Sequence, residues 1–232
     1  MLSVVVVALN ERENLRNLLE ESISLKSDFE NKELIIVNNN SSDGSYELLN
    51  EYAGKYNFVK ILHLPKNYNF GGGIKEGLKI SVGEDLAFIP GDYQVRLVDL
   101  LSIYKIFQNE RYDVVKGYRV NRDATITEKL VSKFYFTLTY LFLRKKRVKE
   151  VSVMPKFFKR KYLPSILQIP LDDFGFDVGF VKVVSDLNLS VLEVPIEYNK
   201  RSHGTSSWSG KRFATYWKAI KNIFVIRKIK FN

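Results

Sequence analysis

The chain has 232 residues, of which 45% are hydrophobic and 13% aromatic, and it contains no cysteine and two histidines. This composition excludes a disordered chain, and the absence of thiols excludes disulfides, thiolate metal sites and a cysteine nucleophile. The formal net charge of +10 predicts attraction to polyanions, which are nucleic acid, phosphorylated small molecules or anionic lipid headgroups.

The N-terminal segment MLSVVVVALNERE has an apolar core too short for a secretory signal and has no basic residues before it. We therefore expect a cytoplasmic protein. No apolar run approaches the roughly 20 residues of a membrane-spanning helix. The segment FYFTLTYLFL at 134–143 is flanked by Lys133 and by RKKR at 144–147, which is typical of a buried helix or of one lying in a membrane interface.

Over the first 118 residues, short apolar runs alternate with segments of helical spacing. The predicted strands are SVVVVAL, ELIIVN, VKILHL, DLAFIP and DVVKGY. Such alternation predicts the α/β class, with a mostly parallel sheet flanked by helices in a single domain.

Three strand ends open onto predicted helix starts. Asn10 is predicted to cap the first helix, with Glu13 completing a capping box. The second helix is expected after SSDG at 41–44, and the third after the glycines at 71–73. In open α/β folds, ligands bind at the edge of the sheet where these starts meet.

Beyond residue 118 the pattern is weaker. It predicts a long helix around 126–143, a strand near 151–159, a helix around 176–187, a strand at 191–198 and a basic helix from about 207. We assign residues 1–207 to one domain and 208–232 to a basic amphipathic helix that packs on this domain or on a membrane surface.

Several polar segments follow the predicted strands in order: ALNERENL, IIVNNNSSDGS, NFGGGIKEG, IPGDYQ and VPIEYNKRSHGTSS. In this order and spacing, from about Val4 to about Ser207, they resemble the family 2 glycosyltransferases of the GT-A (Rossmann-like) fold. Within that family the resemblance is to the polyprenyl-phosphate sugar transferases of the dolichol-phosphate mannose synthase type. It implies a nucleoside-diphosphate sugar as donor.

The resemblance implies a donor site along these segments. The family usually has acids at the positions of Asn38 and Asn39, so the base that this chain would bind is left open. Asx turns and a helix cap explain Ser42 and Asp43 without any ligand, and the glycine-rich segment is interpreted as letting its helix approach the donor and the sheet closely. The candidate donor-binding residues are Leu9, Asn10, Glu11, Asn38, Asn39, Ser41, Asn69, Gly71 and Asp92.

The segment IPGDYQ alone reads as a turn, but the resemblance adds a metal site. The family motif is commonly Asp-x-Asp-x-Gln, and here Pro90, Asp92 and Gln94 take its three positions. Asp92 and Gln94 are therefore the candidate ligands of Mg²⁺ or Mn²⁺. Such an ion neutralises the negative charge that builds up on a departing diphosphate.

Basic residues follow the fifth predicted strand and the last one. Either they form a solvated face or, as the resemblance implies, they meet the acceptor phosphate, which a planar guanidinium can bind through two hydrogen bonds. The candidates are Arg119, Arg122, Lys129, Arg201, His203 and Ser206, and a loop containing these last three and Lys211 is expected to close over the diphosphate.

The segment LDDFGFDVGF contains Asp172, Asp173 and Asp177, and Gly179 stands where the family often has Glu. A hydroxyl acceptor needs a general base, whereas a phosphate acceptor is already anionic. The segment therefore favours a phosphate acceptor, with Asp177 left open as a base or a ligand on the metal side. The predicted catalytic residues are Asp92, Asp177 and Arg201.

The predicted function is inverting transfer of a sugar to a polyprenyl phosphate, by a protein bound peripherally at the inner face of the membrane. One alternative is transfer to a sugar hydroxyl of a cell-surface polysaccharide or glycolipid. Another is a catalytically inactive protein that binds nucleotide sugars. Nucleic-acid binding is not expected, because no recognised motif accompanies the positive charge.

Overall fold

A computed structural model of the chain describes residues 1–120, 137, 139–141, 148–199 and 212–231, with the backbone alone for 212–217 and 219. Seven strands in this part form one sheet in the order β3-β2-β1-β4-β6-β5-β7. The strands are β1 (Leu2–Ala8), β2 (Lys32–Asn38), β3 (Val59–His63), β4 (Asp85–Pro90), β5 (Val114–Arg119), β6 (Lys156–Lys159) and β7 (Val191–Ile196). Only β6 runs antiparallel to its neighbours, which confirms the predicted mostly parallel sheet.

Helices cover the sheet, so its central strands are buried on both faces; every residue of β1 is buried. This burial explains why these strands read as continuous apolar runs rather than alternating ones. The helices are α1 (Arg12–Ser24), α2 (Ser45–Tyr52), α3 (Asn69–Ile80), α4 (Leu97–Asn109), α5 (Leu163–Leu167), α6 (Phe176–Asp186) and α7 (Arg212–Arg227), with 3₁₀ turns at Lys26–Phe29 and Arg160–Tyr162.

The predicted capping box at α1 is wrong. Asn10 has a left-handed backbone, with φ of 56°, and its Oδ1 accepts a hydrogen bond from the Ser42 N–H at 2.8 Å. The first helical N–H, on Arg12, donates instead to Asp43 Oδ2 at 2.8 Å. A side chain from the next loop thus supplies the cap that the local sequence was expected to provide.

The predicted start of α3 is also wrong, because the helix begins at Asn69 and contains the glycines. A Cβ on Gly73 would lie 2.6 Å from Val7 Cγ1, and one on Gly77 would lie 2.4 Å from Val5 Cγ1. Real Cβ atoms do not approach other atoms this closely, so α3 lies against β1 only because these positions lack a side chain. The interpretation that the glycines permit close approach to the sheet is confirmed.

Two predicted elements of the second half also differ. Strand β6 begins at Lys156 and not near 151, since Pro155 has no N–H to donate to a neighbouring strand. Of the predicted helix at 126–143, the structure describes residues 137 and 139–141, which are helical.

The C-terminal helix α7 packs on α6. Ile223 and Ile226 are buried, and Asn222 Nδ2 donates to Asp173 Oδ1 at 2.9 Å. The chain beyond the helix is fixed as well, since the Phe231 N–H donates to Asp186 Oδ2 at 3.1 Å. None of the helices within the described ranges combines the length and the apolar character that crossing a membrane requires.

We predict that Gly77→Ala destabilises the fold by about 1–3 kcal/mol, the usual cost of forcing an extra methyl group into a packed contact. Lys79→Ala is the control, because Lys79 is exposed on the same helix and alanine favours helix at both sites. Urea unfolding followed by circular dichroism measures both free energies. Equal stabilities for the two variants would contradict the close packing of α3 on β1.

Candidate functional site

The carboxyl ends of β1, β2, β3, β4, β5 and β7 meet at one edge of the sheet, because these six strands run in the same direction. The antiparallel β6 contributes its first residue, Lys156, to the same edge, where it pairs with Phe88 of β4 and Lys116 of β5. The candidate donor and metal residues follow β1, β2 and β4, and Arg119 ends β5. The predicted clustering at one edge is therefore observed.

Hydrogen bonds join the loops after β1 and β2 into one rim. The Asn10 N–H donates to Ser41 Oγ at 3.0 Å, in addition to the bonds from Ser42 to Asn10 and from Arg12 to Asp43. Leu9 is 40% exposed, and Glu11 Oε2 accepts a hydrogen bond from Asn14 Nδ2. Many of the hydrogen-bonding groups of this rim thus hold the two loops together.

Asn38, at the end of β2, is buried, and both polar atoms of its side-chain amide have hydrogen-bond partners. Its Oδ1 accepts from the Ser41 N–H at 3.0 Å, and its Nδ2 lies 3.1 Å from His63 Nδ1. His63 Nε2 lies 3.3 Å from Asn50 Oδ1, so Nε2 carries the ring proton and Nδ1 accepts from Asn38. Burial lowers the pKa of His63, which keeps the ring neutral at pH 7.

Asn39 is buried and clamps the start of α3. Its Oδ1 accepts from the Tyr68 N–H and its Nδ2 donates to the Asn69 carbonyl, both at 2.9 Å. An ionised aspartate has no N–H to donate to that carbonyl, so this geometry explains the amide in place of an acid. Gly71 is fixed by packing as well, since a Cβ there would lie 2.4 Å from Phe176 Cβ.

The segment after β4 is a turn that delivers Asp92 to the edge. The Gly91 N–H donates to the Val7 carbonyl at 2.8 Å, and Asp92 Oδ1 accepts from the Gln94 N–H at 3.2 Å. Gln94 is tied to the segment after β7, because its Nε2 donates to the Asn199 carbonyl at 3.3 Å and its own carbonyl accepts from the Asn199 N–H at 3.0 Å. The predicted turn is confirmed, and it places Asp92 at this edge of the sheet.

The donor set at this turn fits a divalent ion only in part. Within the described ranges, no cluster of three or more Asp, Glu or His residues could hold a metal ion. Asp92 and Gln94 offer carboxylate and amide oxygens, which are the hard ligands that Mg²⁺ and Mn²⁺ prefer. These residues fit an ion whose remaining ligands are supplied by a diphosphate and water.

Arg119, the last residue of β5, lies over the ring of Tyr198, with 5.0 Å from the guanidinium carbon to the ring centroid. Its backbone N–H donates to Glu150 Oε2 at 2.9 Å, whereas its Nε is 3.9 Å from the same oxygen. This Nε is buried and has no hydrogen-bond partner among the residues that the structure describes. The Arg119 side chain as a whole is 30% exposed, so its guanidinium lies at the sheet edge beside Glu150 and Tyr198.

Sequence reasoning missed Tyr198. Desolvation raises the pKa of its phenol above the usual value; the Arg119 charge opposes this rise, and the charges of Asp92 and Asp177 add to it. The half-buried ring lies beside Arg119, and its hydroxyl accepts from the Met154 N–H at 2.8 Å. The signal in the sequence was the aromatic residue that ends the predicted strand at 191–198.

Sequence reasoning also missed Lys156, which forms a buried ion pair with Asp177. Both side chains are at most 1% exposed, and the Lys156 Nζ lies 5.4 Å from the Phe180 ring centroid. Burial lowers the pKa of Lys156 to about 8, although the Asp177 charge opposes the shift. The Asp177 carboxylate is thus the counter-ion of a buried lysine. A lysine directly before the apolar pair Phe157-Phe158 was the available signal.

A second buried lysine lies beside the first. The Lys116 Nζ is 3.1 Å from Glu193 Oε1 and donates to the carbonyls of Gly117 and Glu150 at 2.9 and 2.6 Å. Its ammonium group therefore has three partners, as a charge removed from water requires.

The other two acids of the LDDFGFDVGF segment hold the loop before α6. The exposed Asp172 pairs with Lys75 at 2.5 Å, and Asp173 pairs with Lys218 of α7 at 2.9 Å. The candidates Arg122, Lys129, Arg201, His203 and Ser206, together with Lys211, lie outside the described residues.

The sequence model of the family described as "Glycosyl transferase family 2" matches residues 3–167. Among curated proteins, the chain is 24% identical over 218 residues to the dolichyl-phosphate beta-glucosyltransferase of Dictyostelium discoideum, covering 86% of this chain and 66% of the relative. It is 25% identical over 223 residues to the dolichol-phosphate mannosyltransferase of Pyrococcus furiosus, covering 94% of this chain and 62% of the relative. The chain thus spans less than two thirds of the length of these relatives.

The fold is similar to that of glucosyl-3-phosphoglycerate synthase from Mycobacterium tuberculosis, whose crystal structure contains Mn²⁺, UDP and glucosyl-3-phosphoglycerate. The TM-score is 0.73 at 17% sequence identity, and the match covers 99% of this chain and 80% of that one. The predicted GT-A fold is confirmed.

We predict that Lys156→Met costs about 3–5 kcal/mol of stability, because it leaves the buried Asp177 carboxylate without its partner. The double variant Lys156→Met with Asp177→Leu should recover most of this loss, since an apolar pair of similar size replaces the charges. Chemical unfolding of the wild type and of both variants measures the difference. A single variant as stable as the wild type would show that Asp177 does not depend on Lys156.

Proposed function

Because the chain belongs to glycosyl transferase family 2, we propose that it transfers a sugar from a nucleoside-diphosphate sugar to a polyprenyl phosphate, with inversion at the anomeric carbon. The two curated relatives are named as transferases that act on dolichyl phosphate and dolichol phosphate. Their names support a polyprenyl phosphate as the acceptor. The observation that carries the proposal is the position of Arg119 at the end of β5, where its guanidinium lies over Tyr198 and its side chain is 30% exposed.

At the donor end, Asp92 and Gln94 would hold Mg²⁺ or Mn²⁺ beside the diphosphate. When bound, the ion neutralises the charge that develops on the leaving group. The turn that contains Asp92 is fixed by the hydrogen bonds to Val7 and Asn199, so its oxygen ligands need little reorganisation. The candidate residues of the two rim loops would orient the nucleotide, and Arg201 would add positive charge to the diphosphate.

At the acceptor end, Arg119 would bind the phosphate through two parallel hydrogen bonds. Glu150 fixes its backbone and Tyr198 supports the plane of its guanidinium. Arg122, Lys129, His203 and Ser206 are the further proposed contacts of this phosphate.

The position of Asp177 also favours a phosphate acceptor. A hydroxyl acceptor must lose its proton to a base, but the Asp177 carboxylate is bound to Lys156 and is 1% exposed. A phosphate oxygen attacks as an anion and needs no such base. In the alternative with a hydroxyl acceptor, Asp177 stays the proposed base and would first have to separate from Lys156.

We also propose that helix α7 docks on the inner face of the membrane, where a polyprenyl phosphate resides. Phe224 and Val225 are each 47% exposed on this helix, and exposed basic side chains accompany them. These basic residues are Lys221, Arg227, Lys228 and Lys230. An apolar strip bordered by positive charge suits the surface of an anionic bilayer.

The reaction is tested by offering the chain a panel of UDP- and GDP-sugars with Mn²⁺ and a short polyprenyl phosphate in detergent. We expect transfer with one donor, and we expect Arg119→Lys to raise the KM for the polyprenyl phosphate about 10- to 100-fold, since two charge-assisted hydrogen bonds are lost. The KM for the donor should change little. Arg111→Lys is the matched control, because Arg111 is an exposed arginine in the turn before β5.

Asp92→Asn, in the same assay, should abolish metal-dependent transfer. Transfer to a free sugar hydroxyl but not to the phosphate would favour the alternative acceptor. Binding of a nucleotide sugar without any transfer would favour a catalytically inactive protein.

The membrane proposal predicts that Lys221→Glu with Lys228→Glu weakens binding to vesicles containing anionic phosphatidylglycerol. The loss should be at least about tenfold, since each basic residue near such a surface contributes about 1 kcal/mol. Sedimentation with vesicles at low salt measures the affinity. Lys26→Glu with Lys105→Glu changes the same net charge at exposed positions elsewhere, and an equal loss in this control would contradict docking through α7.

A further inference from the structure

Tyr93 lies between the two candidate metal ligands and has a backbone conformation that bulky residues rarely adopt, with φ of 57°. Among the described residues, the other non-glycine residues with positive φ are all asparagines: Asn10, Asn31, Asn40, Asn69 and Asn188. Asparagine tolerates this region because its short side chain bonds the local backbone, whereas tyrosine has no such compensation. Something beyond the turn must therefore hold Tyr93 in place.

The contacts of Tyr93 lead to α1 and α4. Its ring lies against Arg96, with 5.1 Å from the guanidinium carbon to the ring centroid, and the Arg96 Nε donates to Glu21 Oε1 at 3.0 Å. The Glu21 side chain is 6% exposed. Burial raises the pKa of Tyr93 to about 12, and the charge of Glu21 is the next largest cause of this rise. The phenol therefore stays protonated beside the Glu21 carboxylate.

Glu21 also fixes the start of α4. Its Oε2 accepts from the Leu97 N–H at 3.0 Å and its Oε1 lies 3.4 Å from the Val98 nitrogen. A buried carboxylate at a helix N-terminus is stabilised by these N–H groups and by the helix dipole. One side chain of α1 thus immobilises both Arg96, which supports the Tyr93 ring, and the helix that follows the metal turn.

We infer that Tyr93 and Glu21 are positioning residues that hold the turn from Asp92 to Gln94 in the conformation that binds the metal and nucleotide. The inference rests on the proposed function, because it concerns the metal site of that reaction. A strained residue persists only where its surroundings determine its conformation, and such residues concentrate at functional sites. The strained tyrosine makes the ligand turn rigid before the ion arrives.

The decisive variant is Tyr93→Gly, since glycine adopts positive φ without strain but lacks the ring. If Tyr93 served only packing, losing the ring would change stability and leave metal affinity unaltered. The inference instead predicts a dissociation constant for Mn²⁺ at least fivefold higher, in the presence of UDP or GDP, in a protein that still unfolds cooperatively. Electron paramagnetic resonance of free Mn²⁺ measures this constant without turnover, and thermal unfolding is recorded on the same samples.

Asn188→Gly is the matched control, because Asn188 also has positive φ, 50°, and follows α6 away from the metal turn. This variant should bind Mn²⁺ as the wild type does. Tyr93→Phe keeps the ring against Arg96 and should stay within twofold of the wild type, whereas Glu21→Gln should weaken binding.

A Tyr93→Gly protein that binds Mn²⁺ as tightly as the wild type would overturn the inference and leave the proposed function intact. Failure of the wild type itself to bind Mn²⁺ with either nucleotide would overturn the proposed metal site, and the inference with it.

Discussion

The ion pair between Lys156 and Asp177 joins the two halves of the candidate site. Strand β6 separates β4, which delivers Asp92, from β5, which ends at Arg119, and its first residue places a charged ammonium group inside the protein. Removing that charge from water costs several kcal/mol unless an opposite charge lies close to it. Asp177 supplies this charge from the first turn of α6, so α6 must lie over the sheet edge where it does.

The positions of the other elements at this edge follow from that of α6. Phe176 of α6 packs against Gly71 at the start of α3, and the Gly72 N–H donates to the Asp172 carbonyl at 2.9 Å. Asn39, directly after β2, then clamps the same end of α3 through two hydrogen bonds between its side-chain amide and backbone groups. The rim is therefore built mainly of amides and backbone groups. Asp92 and Arg119 place a carboxylate and a guanidinium at this edge, at the ends of β4 and β5.

The sequence predicted the strands well, because the central strands of a parallel sheet are buried on both faces and their apolar runs are visible in any window. It failed at α3, where three glycines read as a loop although they lie in a helix packed on Val5 and Val7. It failed at Asn10 for a related reason, since the helix cap comes from Asp43. In both cases a contact distant in sequence overrides the local preference.

The same limitation explains which site residues were missed. Asp92, Gln94 and Arg119 stand at strand ends, so their common edge could be inferred from the order of elements. Lys156 and Tyr198 depend on partners 21 and 44 residues away, as the pairs Lys156–Asp177 and Met154–Tyr198 illustrate. The strain at Tyr93 depends on a backbone angle. No local pattern encodes such pairings.

The loop before α6 links the site to the helix proposed to meet the membrane. Burial raises the pKa of Asp173, but hydrogen bonds from Lys218, the Gly175 N–H and Asn222 outweigh it and keep the carboxyl ionised. Two of these three partners belong to α7. The same loop contacts α3 through Asp172 and leads into α6, whose first turn contains Asp177, the partner of Lys156. A displacement of α7 would therefore act on the position of Asp173 first, and through the chain that follows it on the ion pair between Lys156 and Asp177.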